Sequence, residues 1–268
     1  MATGPLITRI YKKSFWNTYD NIGRLIVLNL IWFLIFPLPT FLAFRYLPLS
    51  PYHRIALTVV VGLLTHAFAT SGVFAITGRL VDYREVNLRA FLPAAWRYFR
   101  RMLALGLIFG AAFFILFQST RFYLHLKVGG GIVGFFLAGV QVWIAAFLLL
   151  MQVYLFPLLM ARNWGIGRTL KWSALLVVLK PGLTILMFIQ ALAIFMLIGI
   201  TGVGIVVLLM SLISIFLNTT LREILREIEE TTEPKKKPTS WKEIFEERDR
   251  KKEEETRTLK DLLRPWDH

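Results

Sequence analysis

The sequence predicts an all-α, polytopic membrane protein with six transmembrane helices, cytoplasmic interfacial helices and a cytoplasmic C-terminal helix. The chain of 268 residues is 56% hydrophobic, and its mean hydropathy is +0.59, which is more apolar than a soluble domain of this size can bury. Long apolar stretches alternate with short segments rich in Lys and Arg. Because the chain has no cysteine, disulfides and thiolate chemistry are excluded.

Six stretches contain the roughly 20 mostly apolar residues that a helix needs to cross a bilayer. They are 25–44, 56–77, 102–118, 132–155, 182–200 and 204–220. The last two are separated only by the sequence TGVG, whose glycines permit a tight hairpin. An even number of passages predicts that both termini lie on the same side of the membrane.

The distribution of basic residues predicts which side this is. Fourteen Lys and Arg lie before the first span and in the second and fourth loops, whereas the other three loops contain four. By the positive-inside rule, both termini are therefore predicted to be cytoplasmic. The same bias explains the net charge of +14 without nucleic acid as a partner.

A basic amphipathic helix is predicted before each of the three hairpins. The first occupies residues 1–23, the second has the sequence NLRAFLPAAWRYFRRML, and the third has the sequence GIGRTLKWSALLVVLKP. The first has an apolar stripe at helical spacing, formed by Ile7, Tyr11, Phe15, Tyr19 and Ile22. In the second, one face carries the arginines that we expect to contact anionic lipid phosphates: Arg89, Arg97, Arg100 and Arg101.

This succession divides the membrane domain, residues 24–220, into three units, each a helix followed by a hairpin. The residues at which the odd-numbered spans begin, Arg24, Arg101 and Lys180, follow one another at nearly equal intervals. The alternative is that any six-span protein with basic cytoplasmic segments shows a similar rhythm.

The tail, residues 221–268, is predicted to be cytoplasmic. It contains a linker at 231–239, where two prolines flank three lysines, and a charged helix at 240–263 that opens with a capping box at Ser240 and Glu243. This helix carries apolar side chains that it cannot bury alone, and we predict that they dock onto a cytoplasmic or membrane protein: Trp241, Phe245, Leu259 and Leu262. The alternatives are packing on the protein's own loops and lying at the lipid surface.

Several polar or amphipathic side chains inside the predicted spans are candidates for lining a cavity or tying helices together. They are Asn29, Trp32, His66, Gln152 and Tyr154. His66 is the only ionisable side chain deep in a predicted span. It is interpreted either as a ligand contact or pH-sensitive switch, or as a neutral imidazole bonded to a neighbouring helix, to Thr65 or to Thr70.

Three prolines predict helix breaks, because proline has no backbone N–H to donate. Pro37 and Pro39 interrupt the first span, and Pro157 lies near the inner end of the fourth. Broken spans can line binding sites in transporters, but proline is also common as a static kink in membrane helices. The sequence leaves both interpretations open.

The sequence contains no catalytic constellation, and we predict no enzymatic activity, no cofactor and no metal site. No Asp or Glu occurs between Glu85 and Glu223, which disfavours a carboxylate proton relay. The four histidines are dispersed without an H-E-x-x-H motif, and a Walker-type glycine loop is absent.

Three runs in the chain resemble the YesL-like family of bacterial membrane proteins, over roughly residues 14–215. The runs are YDNIGRLIVLNLIWFLIFPLPTF, LVDYREVNLRAFLPAAWRYFRRML and YLFPLLMARNWGIGRTLKWSALLVVLKPGLTIL. The matching motifs are Asn29 with Trp32, the Pro37/Pro39 region, Phe99-Arg100 and Phe156-Pro157-Leu158. The resemblance implies a bacterial inner-membrane location and a link to carbohydrate uptake, but no mechanism. The tail is longer than the family pattern, so its role cannot be carried over.

Two functions from different classes follow. The first is a nonenzymatic accessory component associated with carbohydrate uptake, which contacts its partner through the cytoplasmic face and tail. The second is a free-standing carrier or channel for a neutral solute, with Asn29, Trp32, His66 and Gln152 as cavity residues. Convergence of these side chains on one water-filled cavity would favour the carrier, and scatter between helices would favour the accessory protein.

Overall fold

The computed structural model describes residues 3–48, 50–82, 87–125 and 131–232, and over this range the chain is helical without a strand. A 3₁₀ helix at Leu88–Ala90 accompanies the α-helices α1 Thr3–Asp20, α2 Ile22–Ile35, α3 Pro37–Tyr46, α4 Pro51–Val81, α5 Phe91–Leu124, α6 Ile132–Arg162, α7 Ile166–Leu179, α8 Pro181–Ile200, α9 Val203–Val207 and α10 Leu209–Thr232. Residues 1–224 form one compact unit, and a second unit begins at Leu225, within α10.

Five helical segments of the described residues are long and apolar enough to cross a membrane. They are Ile22–Tyr46, Pro51–Val81, Leu88–Leu124, Ile132–Arg162 and Pro181–Ile200. The shortest has 20 residues, which at about 1.5 Å per residue matches a hydrocarbon core about 30 Å thick. The protein is therefore a helical membrane protein, and the first five predicted spans all fall within these segments.

The sixth predicted span, 204–220, is not one continuous helix. α9 ends at Val207, Leu208 leaves the helical conformation with φ of −140°, and α10 begins at Leu209. α10 then continues past residue 220 to Thr232 without interruption. The turn before α9 contains Gly202 at φ of +62°, a conformation that glycine adopts without strain.

The second predicted interfacial helix is not separate from the span that follows it. α5 is a single helix of 34 residues, because neither proline nor glycine interrupts the sequence AAWRYFRRMLAL. Its length of roughly 50 Å exceeds the hydrocarbon thickness, so part of α5 lies outside the membrane core. By contrast, α1 and α7 are separate helices, which end at Asp20 and Leu179.

The three prolines differ in their effect on the helices. α2 ends at Ile35 and α3 begins at Pro37, so the chain breaks at Phe36. Pro39 lies in the first turn of α3, where a backbone N–H has no helical acceptor in any case. The predicted break at Pro157 is wrong, because α6 continues through this buried residue to Arg162. Proline removes one hydrogen bond there, and burial of the neighbouring side chains holds the helix together.

One end of residues 1–224, here named the Asp82 end, is defined by two groups of ion pairs. Arg222 pairs with Asp82, which follows α4. Glu223 pairs with Lys13 Nζ at 3.0 Å and with Arg9 Nε at 3.5 Å, and both of these bases belong to α1. The start of the chain, the end of α4 and residues 222–223 of α10 therefore lie together.

Candidate functional site

α10 carries a buried row of polar side chains, here named the α10 polar face. Each member is at most 4% exposed: Ser211, Ser214 and Asn218. A polar group buried among apolar helices costs free energy unless it finds a partner. The contacts of this face therefore determine which helices surround α10.

Asn29 of α2 closes the break between α9 and α10. Its Nδ2 donates to the carbonyl oxygens of Ile205 and Val206, both at 2.8 Å. Its Oδ1 accepts from the backbone N–H groups of Met210 at 2.8 Å and Ser211 at 3.2 Å. These are the groups that a helix end leaves without an intrahelical partner. One fully buried amide therefore satisfies both ends of the interruption.

A second set of bonds joins the α10 polar face to α4. The hydroxyl groups of Thr77 and Ser214 are hydrogen-bonded to each other. Asn218 Nδ2 donates to Thr77 Oγ1 at 2.9 Å and to the carbonyl oxygen of Phe74 at 3.2 Å. All three polar side chains are at most 4% exposed. α4 and α10 are thus held together by a buried polar network.

The helix α1 contacts a neighbouring side of α10, on which Thr219 and Glu223 are also at most 4% exposed. Asn17 Nδ2 donates to Thr219 Oγ1 at 3.2 Å. The carboxylate of Glu223 forms ion pairs with Arg9 and Lys13. The buried residues of α1 are Leu6, Ile10, Ser14 and Asn17. In the apolar stripe that the sequence predicts, Phe15, Tyr19 and Ile22 are each 47% exposed instead. α1 therefore packs on α10 with one side and presents aromatic residues on the other.

Trp32 and His66 belong to a contact between α2 and α4. Trp32 Nε1 donates to Thr70 Oγ1 at 3.1 Å, and Thr70 Oγ1 is 3.3 Å from His66 Nδ1. The ring of Phe36 packs edge-on against His66, with centroids 4.7 Å apart. Of the partners that the sequence offers for His66, the structure thus selects Thr70.

Tyr154 ties α6 to α8. Its hydroxyl group is 2.8 Å from Thr184 Oγ1, and both residues are fully buried. Thr184 Oγ1 also donates to the carbonyl oxygen of Lys180. Gln152, two residues before Tyr154, is half-buried and takes no part in these bonds.

The four arginines expected at lipid phosphates divide into two groups. Arg89, Arg97 and Arg100 are exposed, beside the exposed side chains of Leu92 and Trp96. Arg101 is directed at the protein instead: its Nη1 donates to Asn163 Oδ1 at 2.8 Å and to the backbone oxygens of Asn163 and Trp164. These bonds use only one of the two terminal nitrogens of its guanidinium, so the lipid contact of Arg101 stays a prediction.

The predicted docking residues Trp241, Phe245, Leu259 and Leu262 lie outside the described residues. The same holds for the charged helix at 240–263 and for most of the linker at 231–239, of which α10 includes residues 231 and 232. Their role stays a prediction from the sequence.

Comparison with known proteins identifies no relative of this chain. No family model, no curated protein and no solved structure matches the chain. The function is therefore inferred from the contacts of the described residues.

The candidate side chains are distributed over contacts between different helices. Asn29 bonds to α9 and α10, Trp32 and His66 join α2 to α4, and Tyr154 joins α6 to α8. Sequence reasoning missed the α10 polar face. Its signal is the spacing of Ser211, Ser214 and Asn218, which recur three and four residues apart on one helical face. This arrangement holds neighbouring helices together, and the bonded amide and hydroxyl groups are occupied by partners within the protein.

Proposed function

We propose that the protein is a nonenzymatic accessory component of a carbohydrate uptake system in the bacterial cytoplasmic membrane, and that it belongs with the YesL-like proteins it resembles. The observation that supports an accessory role over a carrier is the use of buried polar groups between helices. Both polar atoms of the Asn29 amide are occupied by backbone groups. A solute site would need some of these donors and acceptors for its ligand.

The break at Leu208 illustrates this difference. In transporters, discontinuous helices direct their free backbone groups at substrates or ions. Here Asn29 binds the carbonyl groups of Ile205 and Val206 and the N–H groups of Met210 and Ser211. The break is thus filled by the protein itself, which favours a fixed architecture.

We further propose six passages with both termini in the cytoplasm. The sixth is made by α9 and the part of α10 up to residue 224, and it is supported by the Asp82 end. Because residues 222–223 lie beside α1 and beside the end of α4, the chain after α8 returns to the end at which it started. Leu209–Ile224 would cover about 24 Å of that return. The excess of Lys and Arg in the predicted cytoplasmic segments supports a cytoplasmic location for this end.

At that surface, Arg89, Arg97 and Arg100 contact anionic lipid head groups. Their exposure supports this role, as does the exposed tryptophan among them, Trp96, which is 70% exposed. Tryptophan and arginine are both favoured where a helix passes from water to lipid.

Purification of the protein from gently solubilised native membranes tests the accessory role. We expect the full chain to bring down subunits of a carbohydrate transporter, and the chain truncated after Glu233 to lose them. The double variant Trp241→Ala/Phe245→Ala should lose them as well, because it removes the apolar side chains predicted to dock. The matched control, Lys242→Ala, should retain them. Recovery of the same transporter subunits with the truncated chain would contradict docking through the tail, and absence of transporter subunits from every form would contradict the accessory role.

A further inference from the structure

In α7, the distribution of polar and apolar residues between the buried and exposed sides is opposite to that of a helix facing water. Its buried residues are Thr169, Ser173, Leu176 and Val177, of which the first two are polar. Its exposed apolar residues are Trp172, Leu175, Val178 and Leu179, with exposed fractions between 37% and 65%. A helix turned to water places its polar residues outside. The outer side of α7 therefore suits contact with lipid.

The polarity of this outer side changes along the helix. Arg168 and Lys171 are exposed in the first two turns, and Val178 and Leu179 are exposed in the last turn. Pro181 then begins α8, the most apolar of the five membrane-crossing segments. A chain that passes from lipid head groups into hydrocarbon meets basic residues first and apolar residues afterwards. The outer side of α7 has this order.

The basic start of α7 is fixed in place by aromatic and backbone contacts. The guanidinium of Arg168 lies over the ring of Trp164, with 5.8 Å between its central carbon and the ring centroid. The rings of Trp164 and Trp172 have centroids 5.6 Å apart. Arg101 donates to the backbone oxygen of Trp164 at 3.4 Å. We name Arg101, Trp164, Arg168, Lys171 and Trp172 the Trp164 corner.

The Trp164 corner carries positive charge without acids from its own helices, because no Asp or Glu occurs between residues 86 and 222. Tryptophan rings favour the interface between head groups and hydrocarbon. We infer that the Trp164 corner binds the phosphate of an anionic phospholipid, whose acyl chain lies along the exposed apolar side of α7. This inference rests on the proposed function in one respect, since it requires the segment between α6 and α7 to lie at the membrane surface.

Photo-crosslinking of the full chain in phosphatidylcholine vesicles tests the inference. The vesicles contain a trace of photoreactive lipid, with either a phosphatidylglycerol or a phosphatidylcholine head group on the same acyl chain. Labelling of peptides from residues 163–180 is then measured by mass spectrometry. We expect the anionic probe to label them more strongly, by about fivefold for each cation that contributes, since one base near a membrane surface contributes about 1 kcal/mol.

The double variant Arg168→Gln/Lys171→Gln should lose this preference and keep its labelling by the neutral probe. The control Arg121→Gln removes a base near the end of α5 and should leave the preference unchanged. The guanidinium of Arg121 lies over the ring of Phe117.

Equal labelling of the wild-type peptides by the two probes would overturn the head-group site while leaving membrane insertion and the accessory role intact. Labelling by neither probe, or a cross-link from α7 to a second copy or another protein, would overturn the lipid contact itself. Absence of transporter subunits from every form in the purification experiment would contradict the accessory role alone.

Discussion

Replacement of Asn29 by leucine is expected to destabilise the protein by about 4 kcal/mol, because backbone groups buried without a partner each cost about 1–3 kcal/mol. The substitution would remove four hydrogen bonds at once, two to α9 and two to α10. Leucine has nearly the same size, so the effect would report the lost bonds rather than a cavity. The measurement is the free energy of unfolding in mixed detergent micelles, followed by circular dichroism.

Tyr154→Phe provides the matched control for this substitution. It removes one buried bond, from the tyrosine hydroxyl to Thr184, and leaves every backbone group paired. The expected loss is about 0.6 kcal/mol, which is typical of a hydrogen bond between membrane helices. An equally small effect for Asn29→Leu would show that the break between α9 and α10 does not depend on the Asn29 amide.

Gly72→Ala is the substitution with the second largest expected effect. A Cβ at residue 72 would lie 2.5 Å from two ring carbons of Phe91, well inside van der Waals contact. Phe91 is 2% exposed and belongs to the buried core formed by α2, α4, α5 and α10, so its ring cannot turn away into solvent. Overpacking of this kind costs about 1–3 kcal/mol. The lower stability should appear in the same unfolding measurement.

Gly106→Ala is the control for this effect, since it places the same methyl group on a membrane helix with ordinary clearance. Its Cβ would lie 3.7 Å from Leu63, and alanine favours a helix over glycine by about 1 kcal/mol. We therefore expect Gly106→Ala to be neutral or stabilising. The variant Phe91→Ala should remove most of the additional cost of Gly72→Ala, because the clash is with that ring. Equal effects of the two glycine substitutions would contradict the close contact between Gly72 and Phe91.

The features that depend on local sequence could be predicted. The first five spans follow from the length of their apolar runs, and the break before Pro37 follows from the missing N–H of proline. The start of α8 at Pro181 follows from the same property. Asn29 could be singled out from the sequence because a strong hydrogen-bonding side chain in a membrane helix needs a partner.

The features that depend on contacts distant in sequence could not be predicted. The interruption at Leu208 has no proline, and it is held by Asn29, more than 170 residues earlier in the chain. In the sequence, Arg101 belongs to the same predicted polar face as Arg97 and Arg100. In the structure, it donates a hydrogen bond to Asn163 at the end of α6. Pro157 predicts a helix break from its missing N–H, whereas α6 is continuous through it and the residues around it are buried. Tertiary packing decided each of these cases.

The accessibility of single cysteines tests most directly the central claim that the buried polar groups tie helices and do not line a solute path. The protein contains no cysteine, so Ser214→Cys and Thr70→Cys each introduce one thiol of nearly the original size. In sealed vesicles, neither thiol should react with a membrane-impermeant maleimide added to either side, because both residues are at most 1% exposed. The exposed control Ser50→Cys should react from one side. Rapid labelling of Ser214→Cys or Thr70→Cys from either side would reveal a water-filled cavity and contradict the claim.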